Sequence, residues 1–148
     1  MIRRATLDDM STILPLAIEF NDKYFGIPLN MEKAILVICM IIEEGEAWIS
    51  NGGFIGALYV EDLMRDWTIL QEVAWYSTDK TGMLLLDKLI RQWKISGVDE
   101  LRISTLATSS KILGKLLQRK GFAPFEQSYR LTGAGEWLHS RPSSQSLE

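Results

Sequence analysis

The sequence predicts a mixed α/β fold of the α+β kind, a central, mostly antiparallel sheet flanked by helices. Three features predict it. Two β-rich runs, "AWIS" and "FIGALYVEDL", flank Asn51-Gly52-Gly53, and Asn-Gly favours a tight hairpin because it tolerates positive φ. Beyond Asp79 the apolar spacing becomes helical, with Leu85, Leu86, Leu89, Ile90 and Trp93 on one face. A strand, "DELRISTL", then precedes a basic amphipathic helix, "SSKILGKLLQRKG".

The elements follow in order. "IRRAT" reads as a short first strand, after which Thr6 and Asp9 have the spacing of a capping box. Met10, Ile13, Leu14, Ala17, Phe20 and Tyr24 form the apolar face of a first helix, which Pro15 is expected to kink or split. "GIPLN" breaks the chain, and Asn30 caps a second helix reaching about Glu44. The hairpin comes next, then "DWTILQEVAWYST" as a long antiparallel strand. The helix after Asp79 stops at Gly97, and the basic helix at Gly121. "FAPFEQSYRL" is expected to add a last strand, bent at Pro124. There is no repeat and no linker, so residues 1–132 are expected to form a single domain. Residues 133–148, richer in Gly, Ser and Pro, should be a loosely ordered tail.

Composition narrows the functional classes. With 148 residues, 47% of them hydrophobic, the chain can bury one substantial core. The apolar run "AILVICMII" is too short for a bilayer, and "MIRRATLDDM" lacks the apolar stretch of a signal peptide. A lone cysteine, Cys39, makes no internal disulfide, so a cytoplasmic protein with a buried thiol is expected. A net charge of −3 argues against a nucleic-acid surface, although the stretch "KLLQRK" is basic. The one histidine, His139, lies in the polar tail, which argues against a metal site and against a Ser-His-Asp triad.

Several segments resemble the GCN5-related N-acetyltransferase (GNAT) family over residues 1–132. "QEVAWYST" is similar to its fourth strand. "GMLLLDKLIRQWKISGVDELRIST" is similar to the helix, glycine stop and fifth strand that follow, and "LGKLLQRKGFAPFEQSYRL" to its C-terminal signature. The pattern is most similar to short phage and prophage members. The resemblance implies strands four and five splayed apart, with acetyl-CoA in the gap. The backbone of Trp75, Tyr76 and Ser77 would meet its pantetheine arm, and an exposed strand edge is a template for an amide-bearing ligand. The other reading of this strand is an ordinary paired core strand.

In the family the pyrophosphate sits at the start of the next helix, where unpaired N–H groups and the macrodipole attract anions. Here the loop is reduced to Ser77, Thr78, Asp79, Lys80, Thr81, Gly82 and Met83. The family's arginine is absent and one glycine remains. The resemblance leaves Lys80 as the point charge, Ser77 and Thr81 as hydroxyl donors, and Gly82 and Met83 as backbone contacts. Asp79 is both an unwelcome negative charge and a good N-cap. Ser110, and Ser109 beside it, match positions that approach the cofactor. Glu72 stands at the family's strand-four glutamate and is the candidate general base, with a surface or arginine-paired glutamate as the alternative. The usual tyrosine acid is replaced by Leu117. The implied activity is acetyl transfer from acetyl-CoA to an amine acceptor without a metal, in a chain that can form a homodimer. The alternative is a catalytically decayed fold that binds a host or virion protein.

Overall fold

The computed structural model describes residues 1–106, 109 and 111–133. Its first compact unit, Met1–Ile103, contains the whole sheet. The elements are β1 (Arg3–Arg4), a 3-10 turn (Leu7–Asp9), α1 (Met10–Tyr24), α2 (Met31–Glu44), β2 (Glu46–Ile49), β3 (Gly53–Glu61), β4 (Thr68–Ser77), α3 (Gly82–Ser96) and β5 (Glu100–Arg102). The strands lie in the order β1-β2-β3-β4-β5, antiparallel throughout except for the parallel β4–β5 pair.

The apolar patterns account for the layers. Ile13 of α1 and Ile38 and Ile41 of α2 cluster with Ala47, Ile49 and Phe54 of the sheet. Leu85, Leu86 and Leu89 of α3 are fully buried as well. Burying a side chain of this size is worth about 1.5–3 kcal/mol. Helix α1 runs unbroken through Pro15. Met10, Ile13, Leu14 and Ala17 pack on the core from both sides of the proline, and this packing outweighs the one lost hydrogen bond. Asp9 holds the first turn in place: it accepts the Thr6 N–H at 2.8 Å and both Arg3 Nη groups, at 2.6 and 2.8 Å.

The hairpin forms where expected, but its glycines are there for a different reason. Neither Asn51 nor Gly52 takes a positive φ. A Cβ on Gly52 would lie 2.8 Å from Thr78 Oγ1, and one on Gly53 would lie 2.9 Å from Leu85 Cδ1. Close approach of the hairpin tip to the turn after β4 excludes side chains there. Gly97 does close α3 in the left-handed conformation, φ 75°.

The second unit begins at Ser104 and carries α4 (Lys111–Arg119), on which Leu117 is buried. Gly121 follows it at φ 101°. The expected strand over residues 122–131 is not formed: this run has no ladder. Pro124 brings no N–H to a ladder, and Tyr129 and Leu131 are 88% and 96% exposed, so no buried apolar face fixes a register. The tail, including Trp137 and His139, lies outside the described residues beyond Gly133.

Candidate functional site

The site begins with a fork in the sheet. Strand β4 pairs with β5 only at Ile69–Glu100, Leu70–Leu101 and Gln71–Arg102. It then runs six residues further, to Ser77, with β3 on its other side. At the fork the β3–β4 register steps from Gly56–Ala74 to Ala57–Glu72, which makes Val73 the extra residue of a bulge. A bulge bends its strand and increases the local twist, and the β4–β5 ladder ends beside it, at Gln71. The Gln71 side-chain amide marks the fork, donating to the Glu72 carbonyl at 3.0 Å. Sequence reasoning missed Gln71, because a polar residue in a strand carries no positional signal. Glu72 itself is half-buried, directly opposite Ala57.

At the far end of this edge the sequence-predicted residues come together. The Trp75 indole N–H donates to the Gly82 carbonyl at 3.0 Å, tying β4 to the first residue of α3. Tyr76 takes the α1 side. Its hydroxyl donates to Glu19 Oε2 at 2.6 Å and its ring lies 5.3 Å from that of Phe20. The hydrogen bond to the Glu19 carboxylate pushes the Tyr76 hydroxyl up to about 12. Beside it a surface groove of about 560 Å³ is lined by Pro15, Ile18, Glu19, Asp22 and Lys23.

The turn between β4 and α3 is organised by Asp79. Its carboxylate accepts from the Thr81 hydroxyl, from Ser77 Oγ at 2.9 Å and from the Thr81 N–H at 3.2 Å. Across the turn it accepts from Ser50 Oγ at 3.1 Å and the Gly52 N–H at 2.8 Å. The Thr81 hydroxyl above all, then Ser77, Gly52 and Ser50, hold its carboxyl well below the usual carboxylate range. Asp79 therefore pins the β2–β3 hairpin tip to the turn, and it is not the N-cap. The cap residue is Thr81, whose side chain makes no capping bond to α3. The hydroxyls of Ser77 and Thr81, expected to face a phosphate, are directed at Asp79. Lys80 is exposed and held at φ 67°, the left-handed conformation of the turn's apex.

Gly82 and Met83 open α3, whose 15 residues carry a full macrodipole. The first N–H groups of a helix have no partner within it, and here no side chain caps them. A Cβ on Gly82 would meet only Ser77 Cβ and Trp75 Nε1, both at 3.6 Å, so the fold does not itself demand glycine there. Ser110 lies outside the described residues; Ser109 Oγ accepts from the Leu106 N–H at 3.1 Å, within its own loop. No group of His, Cys, Asp and Glu fit to hold a metal exists among the described residues.

The sequence matches no family model and no curated protein. Solved structures do match. A probable acetyltransferase superposes with a TM-score of 0.71 at 16% identity, over 92% of this chain and 99% of that one. The chain carries the GNAT acetyltransferase fold. Ribosomal-protein-alanine N-acetyltransferase from Brucella melitensis biovar Abortus 2308 matches at TM-score 0.65 and 15% identity, over 89% of this chain and 97% of that one. An acetyltransferase from Trypanosoma brucei matches at 0.64 and 15%, over 89% and 98%.

Proposed function

We propose that this GNAT fold is an N-acetyltransferase that uses acetyl-CoA and an amine acceptor in a ternary complex. The observation that carries the reading is a juxtaposition in one unit. A strand edge from Glu72 to Ser77 lies beyond the β5 ladder and leads to a helix start that no side chain caps. The two ends lie about 17 Å apart along the strand. Backbone N–H and C=O groups of Val73 to Ser77, beyond the β5 ladder, suit an amide-bearing arm, and the α3 start suits a diphosphate.

Acetyl-CoA supplies the activated thioester. The backbone of Trp75, Tyr76 and Ser77 aligns its arm. Gly82 and Met83 receive the diphosphate through N–H groups, with Lys80 as the nearby positive charge. The acceptor amine lies on the α1 side, where the Glu19 and Asp22 carboxylates favour a cation. Glu72 takes its proton as nitrogen attacks the thioester carbonyl, directly or through a water. The C–S bond then breaks, CoA leaves as a thiolate that takes up the second proton of the nitrogen, and no side-chain acid is needed in place of Leu117. One free thiol, Cys39, accords with the reducing cytoplasm in which acetyl-CoA is made.

Calorimetric titration with acetyl-CoA, and with CoA beside it, tests this reading. Micromolar binding is expected. No heat at millimolar ligand would overturn it. That result would favour the second reading, a decayed fold that binds a phage or host protein, to which the Asp79-bound hydroxyls and the aliphatic Leu117 already lean.

A further inference from the structure

We infer that the outer face of α2 is a self-association surface, on which a second copy packs its own α2 antiparallel. From Ala34 to Ile42 the helix is apolar all round, yet only Ile38 and Ile41 are buried against the sheet. A helix apolar on every side is normally covered on every side. Here Leu36 is 64% exposed, Met40 44% and Val37 37%.

The charges select the partner and its direction. Lys33, Val37, Met40 and Glu44 fall at i, i+4, i+7 and i+11, a single stripe on the exposed side with Leu36 beside it. The stripe reads the same from either end in an antiparallel pair. Val37 then meets Met40 of the second copy, and Lys33 meets Glu44, twice by symmetry. A parallel pair would instead set lysine against lysine and glutamate against glutamate. The last turn of α2 also holds Glu43 and Glu44 and no basic residue. Those carboxylates face the negative end of their own macrodipole, and an antiparallel neighbour brings its positive end and Lys33 to them. Each copy would cover on the order of 400 Å², half of a standard interface, so the dimer is weak and concentration-dependent.

Sedimentation equilibrium of the full chain from 5 μM to 1 mM tests this surface, and it needs no acetyl-CoA. A monomer–dimer equilibrium in the range of tens of micromolar is expected. Lys33→Glu and Glu44→Lys should each weaken it about tenfold or more, by turning two attractions into repulsions. The combined Lys33→Glu/Glu44→Lys variant should return it to within about threefold of the parent. Met40→Asp should give a monomer. All three positions are exposed, and circular dichroism verifies folding. A parent that stays monomeric at 1 mM overturns the inference, as does a dimer that Met40→Asp leaves intact.

Discussion

Replacing Gly82 by aspartate separates what the fold needs at this position from what a cofactor needs. Gly82 is the first residue of α3, and a Cβ there meets nothing closer than 3.6 Å. The substitution therefore fits. Aspartate is a better helix former than glycine by a few tenths of a kcal/mol, and its charge at the first turn adds about 0.3–1 kcal/mol against the macrodipole. The variant should be more stable by about 0.5–1 kcal/mol, a rise in Tm of about 2–3 °C for a chain this size.

A diphosphate at the same turn experiences the opposite effect. Each of its two charges, about 4 Å from the new carboxylate, loses about 1 kcal/mol even at the dielectric of water. Two such terms weaken CoA roughly 30-fold. The penalty should shrink in 1 M salt, where the Debye length falls to about 3 Å. Calorimetry with CoA gives the affinity, and S-acetylpantetheine, which lacks the diphosphate, is the control ligand that should be unaffected. A variant with the higher Tm whose CoA affinity stays within about threefold of the parent would show that no phosphate sits at α3.

Three further outcomes follow from named contacts. Lys80→Gly relieves a left-handed non-glycine residue, so it should gain about 0.5–1 kcal/mol of stability, and it should weaken CoA most at low salt, read by thermal melts and titration. Glu72→Gln should abolish turnover in a thiol-release assay with CoA affinity nearly unchanged; full turnover would remove Glu72 from the mechanism. Asp9, held at about 2 by Arg3 and the Thr6 N–H against an unfolded value of 3.8, contributes stability that is present above about pH 4. That contribution, about 2 kcal/mol, is lost as the pH falls from 4 through 2, and Asp9→Asn should flatten this part of the acid-unfolding curve.

Local pattern was readable; contact between distant segments was not. Period-3.6 spacing located α1 and α3, the Asn30 cap and the length of its apolar run located α2, and β-rich runs around a turn signal located β2 and β3, because each signal lies within one contiguous stretch. The register step at Val73 and the Gln71 amide were invisible, since a bulge depends on the neighbouring strand. Asn51-Gly52-Gly53 gave the right hairpin for the wrong cause: the glycines answer to Thr78 and Leu85, 26 or more residues away, and not to backbone handedness. The run 122–131 had the composition of a strand but builds no ladder, because alternation predicts pairing only where one face has something to cover.

The same distant contact changes how the short turn after β4 is to be understood. In the sequence, Ser77 and Thr81 look like hydroxyl donors to an incoming phosphate, and Asp79 like a helix cap that competes with it. In the structure they satisfy one another and the hairpin tip, through Ser50 and the Gly52 N–H. A carboxylate with this many donors stays ionised at any physiological pH, so the turn keeps its shape without a ligand. Its oxygens also have no hydrogen bond left to offer α3, and Thr81 leaves the helix uncapped. A turn of fixed shape presents the α3 N–H groups in place, and a ligand that binds there pays little ordering entropy.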